Sequence, residues 1–433
     1  MINEALINPG SIVIVGASND IEKPGGKILK NILDGAFMGD LSAVNHKEST
    51  IQGLSAHSSV AELGKTDLAI LCVPARFCPE IVRTLAHEKG TRAFIILSAG
   101  FAESGDEGGR WEAEIVETVN SVNACLIGPN CIGVLNANYN GVFTTPIPEL
   151  DPGGCDLISS SGSTAVFIME SGIPLGLRFA NVYSVGNAAQ TGVEEVLEYL
   201  DLYHDPEKHS SIKLLYMESI SDPRKLLKHA SSLVGKGVRI AAIKAGTTEA
   251  GSRAAASHTG ALSSSDSAVR ALFRKAGIVY CNSREELVSV ASVFNYKELK
   301  GRNIAIITHA GGPAVMLADA LSSGGLRIPA IEGPDADSLL SLLHPGSSVA
   351  NPIDFLATGT AGQLGTIIDY CEHKFEHIDA MVVVFGSPGL FGVSDVYDVL
   401  SQKLETCSKP IFPVLPSLIN AREEIREFMK RGY

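Results

Sequence analysis

At 433 residues, with 45% hydrophobic and 19% charged side chains, the chain is globular in composition and too long for one core, so about three domains of roughly 150 residues are expected. A net charge of −13 excludes broad binding to nucleic acid or to an anionic membrane, each of which needs a basic face, and no apolar run reaches the roughly 18 residues of a membrane span. The eight cysteines are scattered, without a CxxC pair or a His/Cys cluster at zinc spacing, so neither disulfides nor a metal site is expected. The opening Met1-Ile2-Asn3-Glu4 has no basic or apolar signal region, and a reducing cytoplasm follows as the expected location.

The first predicted strand, 11–15, is almost all β-branched and runs into Gly16-Ala17-Ser18-Asn19-Asp20 and a helix from about 26 to 34. Strand, tight turn and helix N-terminus together bind phosphates in doubly wound α/β folds, although the full GxGxxG spacing is missing. The next strand, 41–44, ends in Asn45-His46-Lys47, where an NAD-binding domain would place an acidic residue. Lys47 therefore favours a ligand with additional phosphate and disfavours an NAD-dependent dehydrogenase. Strands at 68–73 and 94–97 alternate with helices near 79–89 and 111–120, which implies a parallel sheet with ligand at its carboxyl edge. Its strands end in Pro74-Ala75, in Ser98-Ala99-Gly100 and, after 125–127, in Gly128-Pro129-Asn130-Cys131. These loops are expected to line one crevice; plain βα turns are the competing account.

An irregular stretch, 136–154, is expected to separate this unit from the next. A strand over 156–160 meets Ser161-Gly162-Ser163-Thr164, which opens a helix to about 171, and hydroxyls with free N–H groups at a helix N-terminus form an anion site. The series continues with strand 181–185 into Gly186-Asn187, helix 193–202, strand 212–217 ending at Glu218, helix 224–233 and strand 239–243 ending at Lys244. Next comes Ala255-Ala256-Ser257-His258-Thr259-Gly260-Ala261-Leu262, an imidazole among side chains too small to cover it, before a helix over 265–276. Neutral imidazole is a competent nucleophile near pH 7, and a carboxylate such as Glu218 on one ring nitrogen would fix the tautomer and sharpen the other. A surface histidine and a solvated strand-end charge are the competing accounts. The third unit has strand 304–308, the Gly311-Gly312-Pro313 turn, a helix to 321, Asn351-Pro352-Ile353-Asp354, strands 380–385 and 411–414 and a helix over 421–430. Because the chain stops just after that helix, where one more strand is usual, a longer natural polypeptide is expected.

These motifs, with Val73-Pro74-Ala75, Ser98-Ala99-Gly100-Phe101-Ala102-Glu103, Lys244-Ala245-Gly246 and Ala310-Gly311-Gly312-Pro313, occur in the order seen in nucleoside-diphosphate-forming acyl-CoA synthetases. The chain resembles their α part, the acetate–CoA ligase (ADP-forming) type, and more distantly the α subunit of succinyl-CoA synthetase, which lacks the third domain. The resemblance implies an α/β protein of three domains: a Rossmann-like CoA-binding domain (1–140), a ligase domain carrying the phosphohistidine loop (150–297) and a second flavodoxin-like ligase domain (300–433). It implies the reaction acyl-CoA + phosphate + ADP ⇌ carboxylic acid + CoA + ATP. His258 matches the phosphorylated histidine and Glu218 the carboxylate that orients it. Ser161, Gly162, Ser163 and Gly186 would hold phosphate, and CoA would lie across Gly16, Ala17, Ser18, Lys47, Val73, Pro74, Ser98 and Asn130. Ser160 stands where relatives often carry Gln or Arg, which removes one donor from the phosphate loop. No ATP-grasp domain is present, so ADP or ATP with Mg is expected on a partner β subunit or fused module, within an oligomer. A non-catalytic CoA-binding regulatory protein on the same scaffold is the alternative.

Overall fold

The computed structural model describes residues 2–35, 37–253, 265–389 and 392–432, and the chain forms two compact units, Met1–Ala291 and Ser292–Tyr433. Two sheets build the first unit. One contains β1 (Ser11–Val15), β2 (Asp40–Val44), β3 (Thr50–Ile51), β4 (Leu54–His57), β5 (Leu68–Leu71), β6 (Ala93–Ile96) and β7 (Cys125–Ile127), in the order β3-β4-β2-β1-β5-β6-β7. Apart from the short antiparallel β3, the strands are parallel and follow the Rossmann order. Both faces are covered, which is why these strands read as unbroken apolar runs. Ile12 and Ile14 enter one core with Ile28, Leu29 and Ile32 of the helix Pro24–Asp34, while Val13 and Val15 enter the other with Val82 and Leu85 of the helix Cys78–Glu88.

The second sheet contains β8 (Gly133–Asn136), β9 (Tyr139–Val142), β10 (Leu150–Ser159), β11 (Phe179–Ser184), β12 (Ile212–Met217), β13 (Arg239–Lys244) and β14 (Ile278–Tyr280). Its order is β14-β13-β12-β10-β11-β8-β9, so its five parallel strands have the flavodoxin-like arrangement, with the switch point between β10 and β12. The stretch 136–154, expected to be irregular, instead supplies β9 and the first half of β10. The β8–β9 hairpin pairs antiparallel with β11. It also reaches back to the first sheet's surroundings: the Tyr139 hydroxyl donates to the Leu6 carbonyl at 2.7 Å, and Asn31 Nδ2 donates to the Val142 carbonyl at 2.6 Å. One apolar cluster consequently runs from Ile12 through Val134 and Tyr139 to Tyr183 and Leu215.

In the second unit β15 (Ile304–Thr308), β16 (Ile353–Asp354), β17 (Ala380–Val384) and β18 (Ile411–Val414) form a parallel sheet of order β16-β15-β17-β18, again with a flavodoxin-like start. Helices Ala361–His373 and Ser394–Thr406, which the sequence reading did not place, pack beside it. Leu364, Ile367, Ile368 and Cys371 form the buried stripe of the first, and Thr360 with Gln363 closes a capping box at its start. The second and third sheets share a local device. The Ser159 hydroxyl donates to the Ser161 carbonyl at 2.7 Å and accepts from the Ser161 N–H at 3.2 Å, and Thr308 does the same with Ala310 at 2.9 and 3.0 Å. A hydroxyl at the last strand position thus folds the chain into the helix that follows in both places.

Between the second half of β10 and the start of β12 the fully buried Lys213 ammonium donates to Asp156 at 2.5 Å and to the Ser210 carbonyl at 2.6 Å, while Asn181 donates to the other Asp156 oxygen. Removing one partner leaves the other charge stranded in the core. Lys213→Met is expected to lower stability by about 3 kcal/mol, with much of the loss recovered in the Lys213→Met/Asp156→Leu double variant, as measured by urea unfolding.

Candidate functional site

A groove of ≈ 620 Å³ opens at the carboxyl ends of β1, β2 and β5, the switch point of the first sheet. Gly16, Ala17, Ser18, Lys47, Val73 and Pro74 all line it, together with Lys23, Ser58, Ser59 and Phe77, which the sequence reading did not name. Backbone proximity dictates the glycines. Gly16 has φ +87°, and a Cβ there would stand 2.8 Å from the Cys72 carbonyl oxygen; a Cβ on Gly25 would stand 2.0 Å from the Gly16 carbonyl oxygen. Only bare backbone lets the helix Pro24–Asp34 begin against the turn, with the residue before it, Lys23, lining the groove. Lys23 and Lys47 add positive charge at the mouth.

Ser98 and Asn130 do not line this groove. Ser98 lies between it and a second cavity, its hydroxyl donating to the Val73 carbonyl at 2.5 Å, and its own carbonyl accepts from the Asn130 N–H at 3.0 Å. The ends of β5, β6 and β7 are therefore tied together by hydrogen bonds from Val73, which lines the groove, to Asn130, which lines the cavity.

That second cavity, ≈ 230 Å³, is lined by Asn130, Cys131, Ile132, Phe143, Ser160, Ser161, Gly162, Ser163, Gly186, Asn187 and Glu218. It gathers all four residues read as phosphate-binding, and Glu218, at the switch point of the second sheet. Ser161 caps the helix Gly162–Gly172, accepting from the Thr164 N–H, and its Oγ lies 3.3 Å from Ser163 Oγ. A Cβ on Gly162 would stand 2.4 Å from Ile132 Cγ2, so glycine lets the helix start meet the β7–β8 loop. Across the floor, the Ser160 N–H donates to the Tyr216 carbonyl at 3.0 Å, and the Tyr216 side chain interacts with both Thr164 and Glu218. Burial first, and then the Glu218 charge, push the Tyr216 phenol above its usual range. A polar chain Ser161–Thr164–Tyr216–Glu218 thereby joins the helix start to the carboxylate; nothing in the apolar pattern of β12 marks Tyr216 for this.

The loops of the two sheets meet at Gly186, whose φ is +54°. A Cβ there would lie 2.2 Å from the Pro129 carbonyl oxygen and 2.6 Å from that of Asn130. The Asn187 N–H donates to the Pro129 carbonyl at 2.9 Å, and its Nδ2 donates to Glu103 at 2.5 Å, while Asn130 Nδ2 donates to Asn187 Oδ1 at 3.3 Å. Glu103 also accepts from the Gly100 and Phe101 N–H groups at 2.6 and 3.2 Å. Burial acts to raise the Glu103 pKa, but these donors outweigh it and hold the carboxyl below its ordinary value; neighbouring Glu112 is raised, by burial above all. His258, with residues 254–264, lies outside the described residues, so its expected approach to Glu218 has no geometry to report.

Residues 10–137 match the family of CoA binding domains and 152–294 the family of succinyl-CoA ligase-like flavodoxin domains. The α subunit of acetate–CoA ligase [ADP-forming] II of Pyrococcus furiosus is 38% identical over 81% of this chain and 75% of its own; that of acetate–CoA ligase [ADP-forming] I of the same organism is 32% identical over 99% and 93%. Acetate–CoA ligase [ADP-forming] I of Archaeoglobus fulgidus is 33% identical over 88% of this chain but only 54% of its own, so this chain spans about half of that relative. Among solved structures, an acetyl-coenzyme A synthetase of Ca. Korarchaeum cryptofilum in complex with phosphate and ADP superposes with a TM-score of 0.87 at 26% identity, covering 99% of this chain and 92% of that one.

Gly186→Ala is expected to cost about 2 kcal/mol or more, because a disfavoured φ is added to a backbone collision that no rotamer relieves; the urea midpoint measures it. For Glu103 the folded pKa is depressed, so its stabilisation is present above the ordinary carboxylate range and is lost as pH falls through the lower folded value. The stability gap between wild type and Glu103→Gln should accordingly be full at pH 7 and close on acidification below about pH 4.5. A gap independent of pH would mean that the charge of Glu103 does not hold this junction.

Proposed function

The chain belongs to the ADP-forming acetate–CoA ligase family, and from that membership we propose that it is the α part of a nucleoside-diphosphate-forming acyl-CoA synthetase, interconverting acyl-CoA, phosphate and ADP with carboxylic acid, CoA and ATP. The observation that carries the reading is the ≈ 230 Å³ cavity in which the start of the helix Gly162–Gly172, Gly186 and Glu218 converge, with the ≈ 620 Å³ groove at the edge of the neighbouring sheet. CoA takes the groove, its phosphates against Gly16, Ala17, Ser18 and Lys47 and its thioester arm along Val73, Pro74, Ser98 and Asn130. Phosphate takes the cavity, held by Ser161, Gly162, Ser163 and the N–H groups at the helix start, which offset its charge beside Glu218.

A phosphate oxygen attacks the thioester carbonyl carbon, the C–S bond breaks, and CoA leaves as thiolate to be protonated. The resulting acyl phosphate gives its phosphoryl group to a ring nitrogen of His258 and releases the carboxylate. Glu218 accepts the other ring N–H, so the positive charge that develops on the imidazole is compensated where it forms. The phosphoryl group passes on to ADP. Nucleotide and Mg belong to an ATP-grasp β subunit or fused module within an oligomer. A cytoplasmic location suits these metabolites. Among the described residues no helix is long and apolar enough to cross a membrane.

With acetyl-CoA and labelled phosphate, the protein should acquire acid-labile, base-stable label on His258. His258→Ala should abolish label and net synthesis with the ATP-grasp partner, while calorimetric affinity for CoA stays within about threefold, since the residues expected to hold the CoA phosphates belong to the first sheet. CoA binding with no label on wild type in the presence of active partner would support the regulatory-protein reading instead, and binding of NAD in place of CoA would overturn both.

A further inference from the structure

Glu218 is the first residue of a five-residue connection, 218–222, between β12 and the helix Pro223–Gly235. Its near end is anchored by the sheet: the Ala245 N–H donates to the Met217 carbonyl at 2.9 Å. Its far end is anchored by a side chain that belongs to neither element. Glu194, in the first turn of the helix Val193–Leu202, is 3% exposed, and its Oε1 accepts from the Ser221 N–H at 2.7 Å and the Asp222 N–H at 3.2 Å. Asp222 then caps its own helix, accepting from the Arg224 and Lys225 N–H groups at 3.0 Å. A buried carboxyl would not be retained for solubility, and apolar packing would suffice to seat the helix Val193–Leu202, which also buries Val193, Val196 and Leu197.

We propose that Glu194 is a positioning residue for the reaction: by holding the Ser221 and Asp222 amides it fixes the span on which Glu218 stands, and so the point at which that carboxylate meets the reacting imidazole. The inference rests on the phosphocarrier reading above. Glu194 touches no substrate and acts only through the connection. Glutamine keeps an oxygen that can accept both N–H groups, whereas leucine keeps the volume and removes the acceptor, so the two variants separate the hydrogen bonds from the packing.

The full chain is compared as wild type, Glu194→Gln and Glu194→Leu, with four readouts: thermal midpoint, calorimetric CoA affinity, the rate of His258 labelling from acetyl-CoA and labelled phosphate, and amide exchange at Ser221 and Asp222. Expected are faster exchange at both amides in Glu194→Leu, a labelling rate lower by about tenfold to a hundredfold with CoA affinity unchanged, and restoration of both by Glu194→Gln. Unchanged exchange in Glu194→Leu, or faster exchange with labelling at the wild-type rate, overturns the proposal, as does a labelling loss that glutamine does not rescue. If Glu194→Leu fails to fold, the rescue comparison is made with Glu194→Ala. Absence of label on wild type would instead remove the phosphocarrier reading, leaving the clamp itself to the exchange measurement.

Discussion

The architecture of the first unit depends on one close approach: backbone from the end of β11 lies against backbone from the end of β7, with no space for a side chain at Gly186. The ≈ 230 Å³ cavity sits around that contact. Asn130 and Cys131 come from one side, Ser161 to Ser163 and Glu218 from the other, and Asn187 spans the seam to Glu103. Two parallel sheets each offer a switch point at their carboxyl edges, and the seam makes the two openings neighbours. The hydrogen bonds there are modest singly, about 1 kcal/mol each, but the Glu103 carboxylate takes several at once and, being ionised, fixes which end of Asn187 is the donor.

The same junction explains why a thioester reaction suits this scaffold. A thioester and a phosphate must be brought together although one ligand is long and the other small and doubly charged. In the proposed reaction the open groove of the Rossmann-type sheet would take the first, and the helix start in the partly enclosed space of the flavodoxin-like sheet the second. Tyr216 of β12 interacts with Glu218 itself, and Glu194 of the helix Val193–Leu202 holds the far end of the connection that Glu218 begins.

Much of this was legible in the sequence where the signal is local. The turn at Gly16 to Ser18, the Ser161 to Ser163 helix start and the strand-end position of Glu218 follow from apolar strands that stop at small residues, and the structure gathers these residues at the two sheet edges as that pattern implies. What escaped is non-local. Asn187 and Glu103 are 84 positions apart, Glu194 and Ser221 are 27 apart, and neither pair leaves a periodic trace. Nor does the local pattern show that the Ser98 hydroxyl donates to the Val73 carbonyl and so joins the ends of β6 and β5. The helix Ala361–His373 did carry a readable stripe and capping box; its Gly and Thr content masked them. The stretch 136–154 read as a separator because it contains Pro and lacks a regular pattern, and tertiary pairing of β9 with β8 and of β10 with β11 overrode that tendency.

The β8–β9 hairpin has a final implication, for how such a polypeptide can be cut or recombined. Its first strand pairs with β11 and carries β9 at the sheet edge, while Tyr139, Asn136 and the Val142 carbonyl meet residues 6, 7 and 31. A fragment that stops before the hairpin exposes the underside of the first helix, and one that stops after it carries away two edge strands of its neighbour. The cooperative folding unit is therefore larger than either half. Grafting a foreign acyl-handling module onto this cofactor cradle would succeed only if the donor brought its own hairpin along.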